Sequence, residues 1–404
     1  MILMTNSAEA GVYLRERRVG TLGYRDGNTW FDYEDRDPLH PVLGQRFETD
    51  PSHRRNGSGR LPEWFANLLP EPETGLRRLI GQELGRVNPH DFQVITFLGE
   101  DLPGAVRVIP ESNLDAIPEL AEHGGEHVDY GIRFSLAGVQ AKFSMRWEDR
   151  GLVLPMSGEG GDWIVKLPDR RFPDVPPNEY SMLYWAALIG INVPQIELFY
   201  GSQLSGLPPG MIADDEQAFG IKRFDRTDSG RIHQEDFAQI REVSPDLKYE
   251  KATYSGLARI IQSVCPDDTD EFVRRLAAMV VMGNLDAHLK NWTIRYEDGR
   301  SGRLSPAYDL VSVSVYPEFK SEQLAFAING GRIARHVTID NFRRFAIRAS
   351  LDPGRVLEVA RSAVVALVDS WPQVKSDCDV PGFLVTHIEQ RLTELPIIAS
   401  ASGR

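Results

Sequence analysis

Apolar and polar residues alternate near the start of the chain. Between residues 10 and 36 the apolar positions are Val12, Leu14, Val19, Leu22 and Tyr24. Alternation of this kind is typical of half-buried β-strands. Arg17-Arg18 and residues 25–28 interrupt the pattern and predict hairpin turns. Residues 51–60 are polar and glycine-rich, so we expect a loop there.

Helical spacing replaces the alternation after residue 61. Apolar residues recur at helical intervals over 61–69 and 76–84, which predicts two helices. Residues 92–98 fit either a helix or a strand, and 104–109 predict a strand that Pro110 ends. Residues 111–130 are acidic and irregular, and we expect a linker. His123 and His127 in this linker are spaced like metal ligands, but the glycines between them disfavour an aligning helix, so a solvated loop is expected.

A second β-rich region precedes a mostly helical one. Strands are predicted at 143–147, 152–154, 163–167, 196–200 and 219–224, and a helix at 179–189. After residue 236 the pattern favours helices, at 254–264, 269–282, 339–349, 354–370 and 382–395. This order predicts an α+β fold with a β-rich N-terminal part and a mostly α-helical C-terminal part.

Composition and charge narrow the classes of function. A chain of 404 residues with 42% hydrophobic and 25% charged residues is typical of a globular protein of two or three domains. The net charge of −13 gives no general attraction to nucleic acid. There is no signal-peptide core and no apolar run long enough to span a membrane. The two cysteines do not form a disulfide framework, so we expect a soluble protein of the reducing cytoplasm.

Candidate chemistry is concentrated in the polar stretch 283–291, which follows the apolar run 276–282. Asp286 and Asn291 lie in this stretch, five residues apart, and Asp309 follows further along the chain. The same order of Asp, Asn and a later Asp supplies the phosphoryl-transfer site of protein kinases. Because Mg²⁺ prefers hard oxygen ligands, Asn291 and Asp309 are candidate ligands. Asp286 is then available to accept the proton of an acceptor hydroxyl.

The segment between these groups fits a β-hairpin. Residues 292–296 alternate, 297–302 are typical of a turn, and Leu304 begins a return strand. Such a hairpin would bring Asn291 and Asp309 together. In the alternative interpretation, Asp286 and Asn291 only cap helices or turns.

The β-rich part offers groups for a nucleotide. Lys166 lies in the apolar strand 163–167, like the strand lysine of kinases, and a buried ammonium needs a partner or a function. Glu179 is a candidate partner, although an acid near a helix N-terminus is favourable in itself. Residues 135–142 fit a phosphate-binding loop or a plain hairpin turn. Residues 219–226 fit a strand whose backbone reads the adenine edge or a structural ion-pair cluster.

Together these segments resemble the HipA toxin-type serine/threonine kinases of bacterial toxin–antitoxin systems. The matching residues are 11–14, 20–22, 64–70, 104–106, 135–142, 164–168, 178–180, 222–226, 234–237, 284–291 and 306–310. They cover nearly the whole chain in the family's order. The resemblance implies a two-lobed kinase-like α+β fold. Its expected parts are a HipA-like small α/β domain (1–110), a linker (111–130), a β-rich nucleotide-binding lobe (131–235), an α-helical catalytic lobe (236–398) and a tail (399–404).

The resemblance also implies residue roles. Asp286 would be the catalytic base, and Asn291 and Asp309 would bind Mg²⁺. The residues around the ATP phosphates would be Ala137, Gly138, Val139, Gln140, Ala141, Lys142 and Lys166. The other nucleotide contacts would be the hinge residues Lys222, Arg223 and Phe224, together with His288, Lys290, Asn291, Tyr308 and Asp309. Ser135 would be an autophosphorylation site that switches the kinase off, since its dianionic group could not share the loop with ATP phosphates.

Partners follow from the same resemblance. A HipB-like helix-turn-helix antitoxin would restrain the chain and contact DNA on its behalf, and the substrate would be a translation component such as an aminoacyl-tRNA synthetase. Ala141 and Lys222 depart from relatives that carry Glu at these positions, and a hinge that acts through its backbone tolerates Lys222. Two alternatives stay open: a catalytically silent co-repressor partner of a DNA-binding antitoxin, and a kinase of small molecules or lipids.

Overall fold

The structure is a computed structural model that describes residues 7–35, 37, 39–72, 74–114, 117–118, 140–148, 151–154 and 160–401. Most of the expected linker, with both of its histidines, lies outside the described residues. So do five residues of the expected phosphate loop, namely Ser135, Leu136, Ala137, Gly138 and Val139, and the last three residues of the expected tail.

The described residues form the strands and helices of an α+β protein, as predicted. In chain order the strands are β1 (Ser7–Leu14), β2 (Arg17–Arg25), β3 (Asn28–Tyr33), β4 (Arg55–Ser58), β5 (Val106–Pro110), β6 (Lys142–Glu148), β7 (Gly151–Val153), β8 (Trp163–Lys166), β9 (Ile196–Tyr200), β10 (Leu204–Ser205), β11 (Gln217–Lys222), β12 (Arg226–Thr227), β13 (Gly230–Arg231), β14 (His233–Asp236), β15 (Thr293–Tyr296), β16 (Gly302–Leu304), β17 (Gln323–Ile328) and β18 (Gly331–Ile333). The helices are α1 (Gln45–Thr49), α2 (Glu63–Ala66), α3 (Gly75–Glu83), α4 (Asp91–Phe97), α5 (Val175–Leu188), α6 (Phe237–Ile240), α7 (Tyr254–Val264), α8 (Thr269–Met282), α9 (Ile339–Ala349), α10 (Pro353–Asp377), α11 (Gly382–Glu394) and α12 (Pro396–Ala401).

Contacts along the chain divide it into two compact units. Unit 1 comprises Met1–Trp163, Arg223–Lys248 and Thr293–Ser301. Unit 2 comprises Ile164–Lys222, Tyr249–Trp292 and Gly302–Arg404. Each unit therefore gathers segments that are distant in sequence, and the domain boundaries expected from the sequence stay a prediction.

Unit 1 is built on a five-stranded antiparallel sheet with the order β4-β3-β2-β1-β5. The alternation seen in the sequence places Val12, Leu22 and Phe31 in a fully buried core, where helix α2 adds Trp64 and Phe65. The rings of Phe31 and Phe65 meet edge to face, with their centroids 4.7 Å apart. Burial of these aromatic side chains is the main force that holds the sheet to its helices.

One prediction for unit 1 is wrong in part, and one open alternative is decided. The loop expected at 51–60 is wrong in part, because residues 55–58 form β4, which pairs with β3 at the edge of the sheet. An edge strand pairs on one side only and tolerates polar side chains. Its sequence therefore lacks the apolar alternation from which a strand is predicted. The ambiguous segment 92–98 is helical, as α4, and His90 caps its N-terminus by accepting a hydrogen bond from the N–H of Phe92.

Unit 2 surrounds the buried helix α8, whose residues 276–282 are all excluded from solvent. Helices α7, α10 and α11 pack against it. Strands β8, β11 and β9 lie side by side in that order, and β11 and β9 pair antiparallel. Helix α5 packs on α10 through Trp185, whose indole N–H donates to Leu367 O at 3.1 Å. The helix begins at Val175, four residues before the predicted start, because Pro176 and Pro177 are accommodated in its first turn.

Within the described residues, no helix combines the length and the apolar character needed to cross a membrane.

Candidate active site

The polar stretch 283–291 begins where helix α8 ends. Gly283 closes the helix with φ of +75°, a left-handed conformation that favours glycine. A Cβ at this position would lie 1.9 Å from Ser314 Oγ, so the position excludes a side chain for steric reasons as well. The chain thus leaves the buried helix abruptly and presents its polar residues just beyond the helix end.

Asn284 links the two acids of the site through their backbones. Its side-chain oxygen accepts from the N–H of Asp286 at 3.2 Å, and its amide nitrogen donates to the carbonyl of Asp309 at 3.2 Å. Asn284 is buried, so these hydrogen bonds replace water rather than compete with it. One side chain therefore fixes the chain segments that carry Asp286 and Asp309 relative to each other.

Asn291 and Asp309 meet directly, as the predicted hairpin requires. The Asn291 amide nitrogen donates to Asp309 Oδ2 at 3.0 Å. In the part of the chain that the structure describes, Asn291 Oδ1 is buried and accepts no hydrogen bond. Asp309 has φ of +56°, an unusual conformation for a residue with a side chain, and such conformations cluster at functional sites. Together the pair presents a carboxylate and an amide oxygen at one place.

The donor set of this pair fits Mg²⁺. Both groups are hard oxygen ligands, and protein Mg²⁺ sites commonly use one or two such side chains together with substrate phosphates. Among the described residues, no cluster of three or more His, Cys, Asp and Glu side chains could hold a metal. A pocket beside the pair is lined by Asn284, Asn291, Tyr308, Asp309 and apolar neighbours that include Met279 and Leu310.

Lys166 lies on strand β8, buried as predicted, and reaches two carboxylates. Its ammonium donates to Glu179 at 2.7 and 2.9 Å and also to Asp309 Oδ1. Burial acts to lower the pKa of Lys166, but Asp309 and Glu179 outweigh it and hold the pKa above its ordinary value. The predicted Lys166–Glu179 pair is therefore present, and the contact of Lys166 with Asp309 adds a link that the sequence did not indicate.

Asp286 is nearly buried and has a tyrosine as its partner. The hydroxyl of Tyr249 donates to Asp286 Oδ1, and Asp286 is 9% exposed. The backbone carbonyl of Asp286 also accepts from the N–H of His288 at 2.7 Å. The ring of Tyr249 packs edge to face on His288, with centroids 5.1 Å apart and planes at 78°. Asp286 thus belongs to a small polar cluster in unit 2.

Further hydrogen bonds hold the backbone of the polar stretch. The carbonyl of Ala287 accepts from the hydroxyl of Tyr254 at 3.3 Å and from the indole of Trp292 at 3.4 Å. The carbonyl of Lys290 accepts from the hydroxyl of Tyr308 at 2.7 Å. These hydrogen bonds restrain the carbonyls of the stretch, as a preorganised site requires.

The predicted hinge residues have separate surroundings. Lys222 ends β11, and its backbone N–H donates to Gln195 O at 2.8 Å, while its side chain is exposed. The Arg223 guanidinium is buried in unit 1 and binds Asp101 at 2.6 Å and Asp225 at 2.9 Å. Burial acts to raise the pKa of Asp225, but the adjacent arginines outweigh it and lower the pKa to about 2. The ion-pair cluster considered for this segment is therefore present, so a nucleotide contact by Arg223 would have to use its backbone.

The remaining predicted residues are only partly placed. Lys142 begins β6 in unit 1 with an exposed side chain, Ala141 precedes it, and Gln140 is buried. Phe224 follows the arginine of the ion-pair cluster, and the guanidinium of Arg295 lies 5.7 Å from the centre of its ring. The other residues of the loop lie outside the described part of the chain. Their contribution to a phosphate site stays a prediction.

Family models match both parts of the chain. Residues 10–109 match the HipA N-terminal domain, and residues 134–371 match the HipA-like C-terminal domain. The chain belongs to the HipA family. The segment that matches the HipA-like C-terminal domain contains Lys166, Asp286, Asn291 and Asp309. The structure places all four residues in unit 2.

Three relatives are similar to this chain over most of its length. "Putative kinase Y4dM" of Sinorhizobium fredii is 40% identical over 374 residues, which are 89% of this chain and 90% of the relative. "Putative kinase Y4mE" of the same organism is 30% identical over 87% of this chain and 86% of the relative. "Serine/threonine-protein kinase toxin HipA" of Shewanella oneidensis is 25% identical over 72% of this chain and 70% of the relative.

A solved structure shares the fold. It is a chain of the Shewanella oneidensis MR-1 complex of HipA, HipB and operator DNA, with a TM-score of 0.72. The match covers 98% of this chain and 97% of the other at 18% sequence identity, so it supports the fold alone. It confirms the kinase-like α+β fold of the HipA family that the sequence predicted.

Sequence reasoning missed two residues of this HipA-family site. Asn284 stands in the polar stretch, directly after the helix-ending Gly283, so its position could have suggested a buried linking role. Tyr249 lies far from the stretch in sequence, between the short helix α6 and helix α7. No spacing or periodicity connects it with Asp286, so a single sequence carries no signal for this contact.

Proposed function

We propose that this HipA-family chain is an ATP- and Mg²⁺-dependent protein serine/threonine kinase that acts as the toxin of a HipBA-like system. One observation carries the proposal: Lys166, Glu179, Asn291 and Asp309 converge within unit 2, where Asn284 also fixes the segment that carries Asp286. A catalytically silent partner of a repressor has no need of these buried charges, which are costly to keep.

In the proposed reaction each group has a defined task. Asn291 Oδ1 and the Asp309 carboxylate would hold Mg²⁺, which neutralises phosphate charge when bound. Lys166 would face the phosphates of ATP, held in place by Glu179. Asp286 would accept the proton of the acceptor hydroxyl as that oxygen attacks the terminal phosphorus, while the bond from this phosphorus to the β–γ bridging oxygen breaks and ADP leaves. The rigid backbone of the polar stretch would keep the acceptor and the phosphate in line.

The proposed partners rest on similarity. The solved Shewanella complex contains HipB and operator DNA, which supports a HipB-like antitoxin that contacts DNA for this chain. A translation component such as an aminoacyl-tRNA synthetase is the proposed substrate, and Ser135 the proposed site of inactivating autophosphorylation. Both cysteines of the chain are free and buried, which agrees with the proposed cytoplasmic location.

Phosphate transfer from radiolabelled ATP to the proteins of a cell lysate tests the proposal. The purified chain with Mg²⁺ should label a small set of proteins, which mass spectrometry then identifies. Asp286→Asn should reduce labelling by about 100-fold or more, the usual contribution of a general base, while thermal shift assays show that it still binds Mg²⁺-ATP.

Asp340→Asn is the matched control, because Asp340 is an exposed acid of unit 2 whose partners are two arginines of its own helix. This variant should label the lysate as the wild type does. Transfer by Asp286→Asn at the level of this control would refute the assignment of the base. A wild-type protein that labels nothing would favour the silent co-repressor instead.

A further inference from the structure

Tyr249 stands on a short segment of unit 2 that leads into helix α7. Thr253 caps this helix, and its hydroxyl accepts from the N–H of Gly256 at 3.1 Å. Three residues separate Tyr249 from Thr253, and Lys251 among them has φ of +54°. A residue so close to a capped helix end has little backbone freedom.

The side chain of Tyr249 is fixed as well. Its ring is half-buried and packs edge to face on His288, a residue of the polar stretch itself. Its hydroxyl donates to Asp286 Oδ1. The aromatic contact and the hydrogen bond act on the same stretch two residues apart, so the ring and the hydroxyl are oriented together.

We propose that Tyr249 is a positioning residue that sets the orientation of the Asp286 carboxylate for proton transfer. This inference rests on the proposed kinase function. A carboxylate can turn about its Cβ–Cγ bond, and a donor on one oxygen fixes its plane and therefore the direction in which the other oxygen faces. General-base catalysis requires that an oxygen of the base lies within hydrogen-bond reach of the acceptor hydroxyl. Tyr249 would thus act on the rate of transfer through Asp286, without touching ATP.

A different reading of the same contact is occlusion, in which the tyrosine hydroxyl takes the place of the acceptor hydroxyl. The nearby cap of helix α7 and the packing on His288 favour a residue that stays in place over one that leaves when the acceptor enters. The two readings predict opposite effects when the hydroxyl is removed, because occlusion slows the enzyme and positioning accelerates it.

Tyr249→Phe removes the hydroxyl and keeps the ring. The assay is the initial rate of transfer from radiolabelled ATP into the proteins of a heat-inactivated lysate, at increasing Mg²⁺-ATP and fixed lysate protein. We expect the apparent kcat to fall about tenfold, which corresponds to the loss of one hydrogen bond to a charged group. The KM for ATP should stay unchanged, and the variant should unfold at nearly the wild-type temperature.

Tyr184→Phe is the matched control. The Tyr184 hydroxyl also donates to an aspartate, Asp377 Oδ2 at 2.7 Å, but on helices α5 and α10 away from the polar stretch. This variant should keep the wild-type kcat and KM. A combined change of kcat, KM and unfolding temperature in Tyr249→Phe would indicate a merely structural role and overturn the inference.

Other outcomes also decide the matter. Faster transfer by Tyr249→Phe would establish occlusion and overturn positioning. A wild type that transfers phosphate while Tyr249→Phe matches it would overturn this inference alone. A wild type that transfers no phosphate to any lysate protein would overturn the proposed function, and with it this inference.

Discussion

Replacing Lys166 by Met tests the charge arrangement at the centre of the site. The change removes the ammonium and keeps an apolar stem of similar length on strand β8. Glu179 is 1% exposed and would lose a partner that holds both of its oxygens, and Asp309 would lose one of its contacts. Removing one member of a buried ion pair typically costs about 3–5 kcal/mol, because the other charge stays desolvated. We therefore expect the free energy of unfolding to fall by about that amount at pH 8.

The loss should depend on pH, and the sign follows from which group titrates. In the wild type the pKa of Lys166 is raised, so its contribution to stability is complete at every pH below its ordinary value and is lost only at strongly alkaline pH. In the variant, the buried Glu179 has lost the ammonium, so we expect its ionised form to destabilise the fold at high pH. As pH falls and this carboxyl takes up a proton, the penalty disappears. The difference between variant and wild type should shrink from pH 8 to pH 5.

Guanidinium unfolding, followed by far-ultraviolet circular dichroism at pH 5 and pH 8, measures both effects. Lys375→Met is the control, since Lys375 pairs with Glu389 at 2.6 Å on the exposed surface of α10 and α11. Exposed pairs contribute roughly 0–1 kcal/mol, so this variant should be nearly as stable as the wild type at either pH. If Lys166→Met loses no more stability than Lys375→Met, Lys166 is not part of a desolvated ion pair, and the reasoning about the site is wrong.

Two further predictions concern stability away from the proposed metal ligands. Gly283→Ala should destabilise unit 2 by more than Gly190→Ala, as measured by thermal unfolding. Both glycines have positive φ, but a Cβ at Gly283 would collide with Ser314, whereas a Cβ at Gly190 would meet no atom within 4 Å. Equal losses would mean that the collision relaxes without cost. Glu235 in unit 1 is fully buried, and burial raises its pKa to about 7 despite hydrogen bonds from Tyr296 at 2.6 Å and Gln45 N at 2.8 Å. Because the folded protein holds this proton to a higher pH than the unfolded chain, stability should fall as pH rises from about 4.5 to about 7 and then level off. Glu235→Gln should weaken this dependence in denaturant unfolding, and an unchanged pH profile would argue against a buried, protonated Glu235.

The sequence could predict the parts of the site that depend on local spacing. Asp286 and Asn291 share one polar stretch, and the turn that follows limits where Asp309 can lie, so their order along the chain already indicated a shared location. Lys166 was predictable because a lysine inside an apolar strand needs a partner. The strand at residues 55–58 was not predictable, because an edge strand with polar side chains lacks the alternation of apolar and polar residues that a half-buried strand shows.

Contacts between distant segments could not be predicted from one sequence. Tyr249 meets Asp286, and Arg223 meets Asp101, only because the chain folds back through several elements. The two residues of each pair have no periodic spacing in the sequence, and a polar loop residue could pair with many different partners. The extension of helix α12 over residues 399–401, where a tail was expected, likewise depends on packing: Ile397 is fully buried, and Ser400 accepts from the N–H of Ile339 at the start of helix α9.

The charges of Lys166, Glu179 and Asp309 support the proposed cation site, whatever the acceptor substrate is. Lys166 carries one positive charge, and Glu179 and Asp309 carry one negative charge each, so the buried group sums to −1. A net negative charge in a largely desolvated place lowers the energy of any cation that approaches the exposed side of the group. Asp309 is the more exposed of the two acids, and Asn291 Oδ1 lies beside it without a donor among the described residues. Glu179 is the more deeply buried acid and binds the ammonium through both oxygens, so it serves to hold Lys166. Their burial therefore supports different proposed tasks for the two acids: Glu179 would hold the lysine, and Asp309 would share its charge with a metal ion.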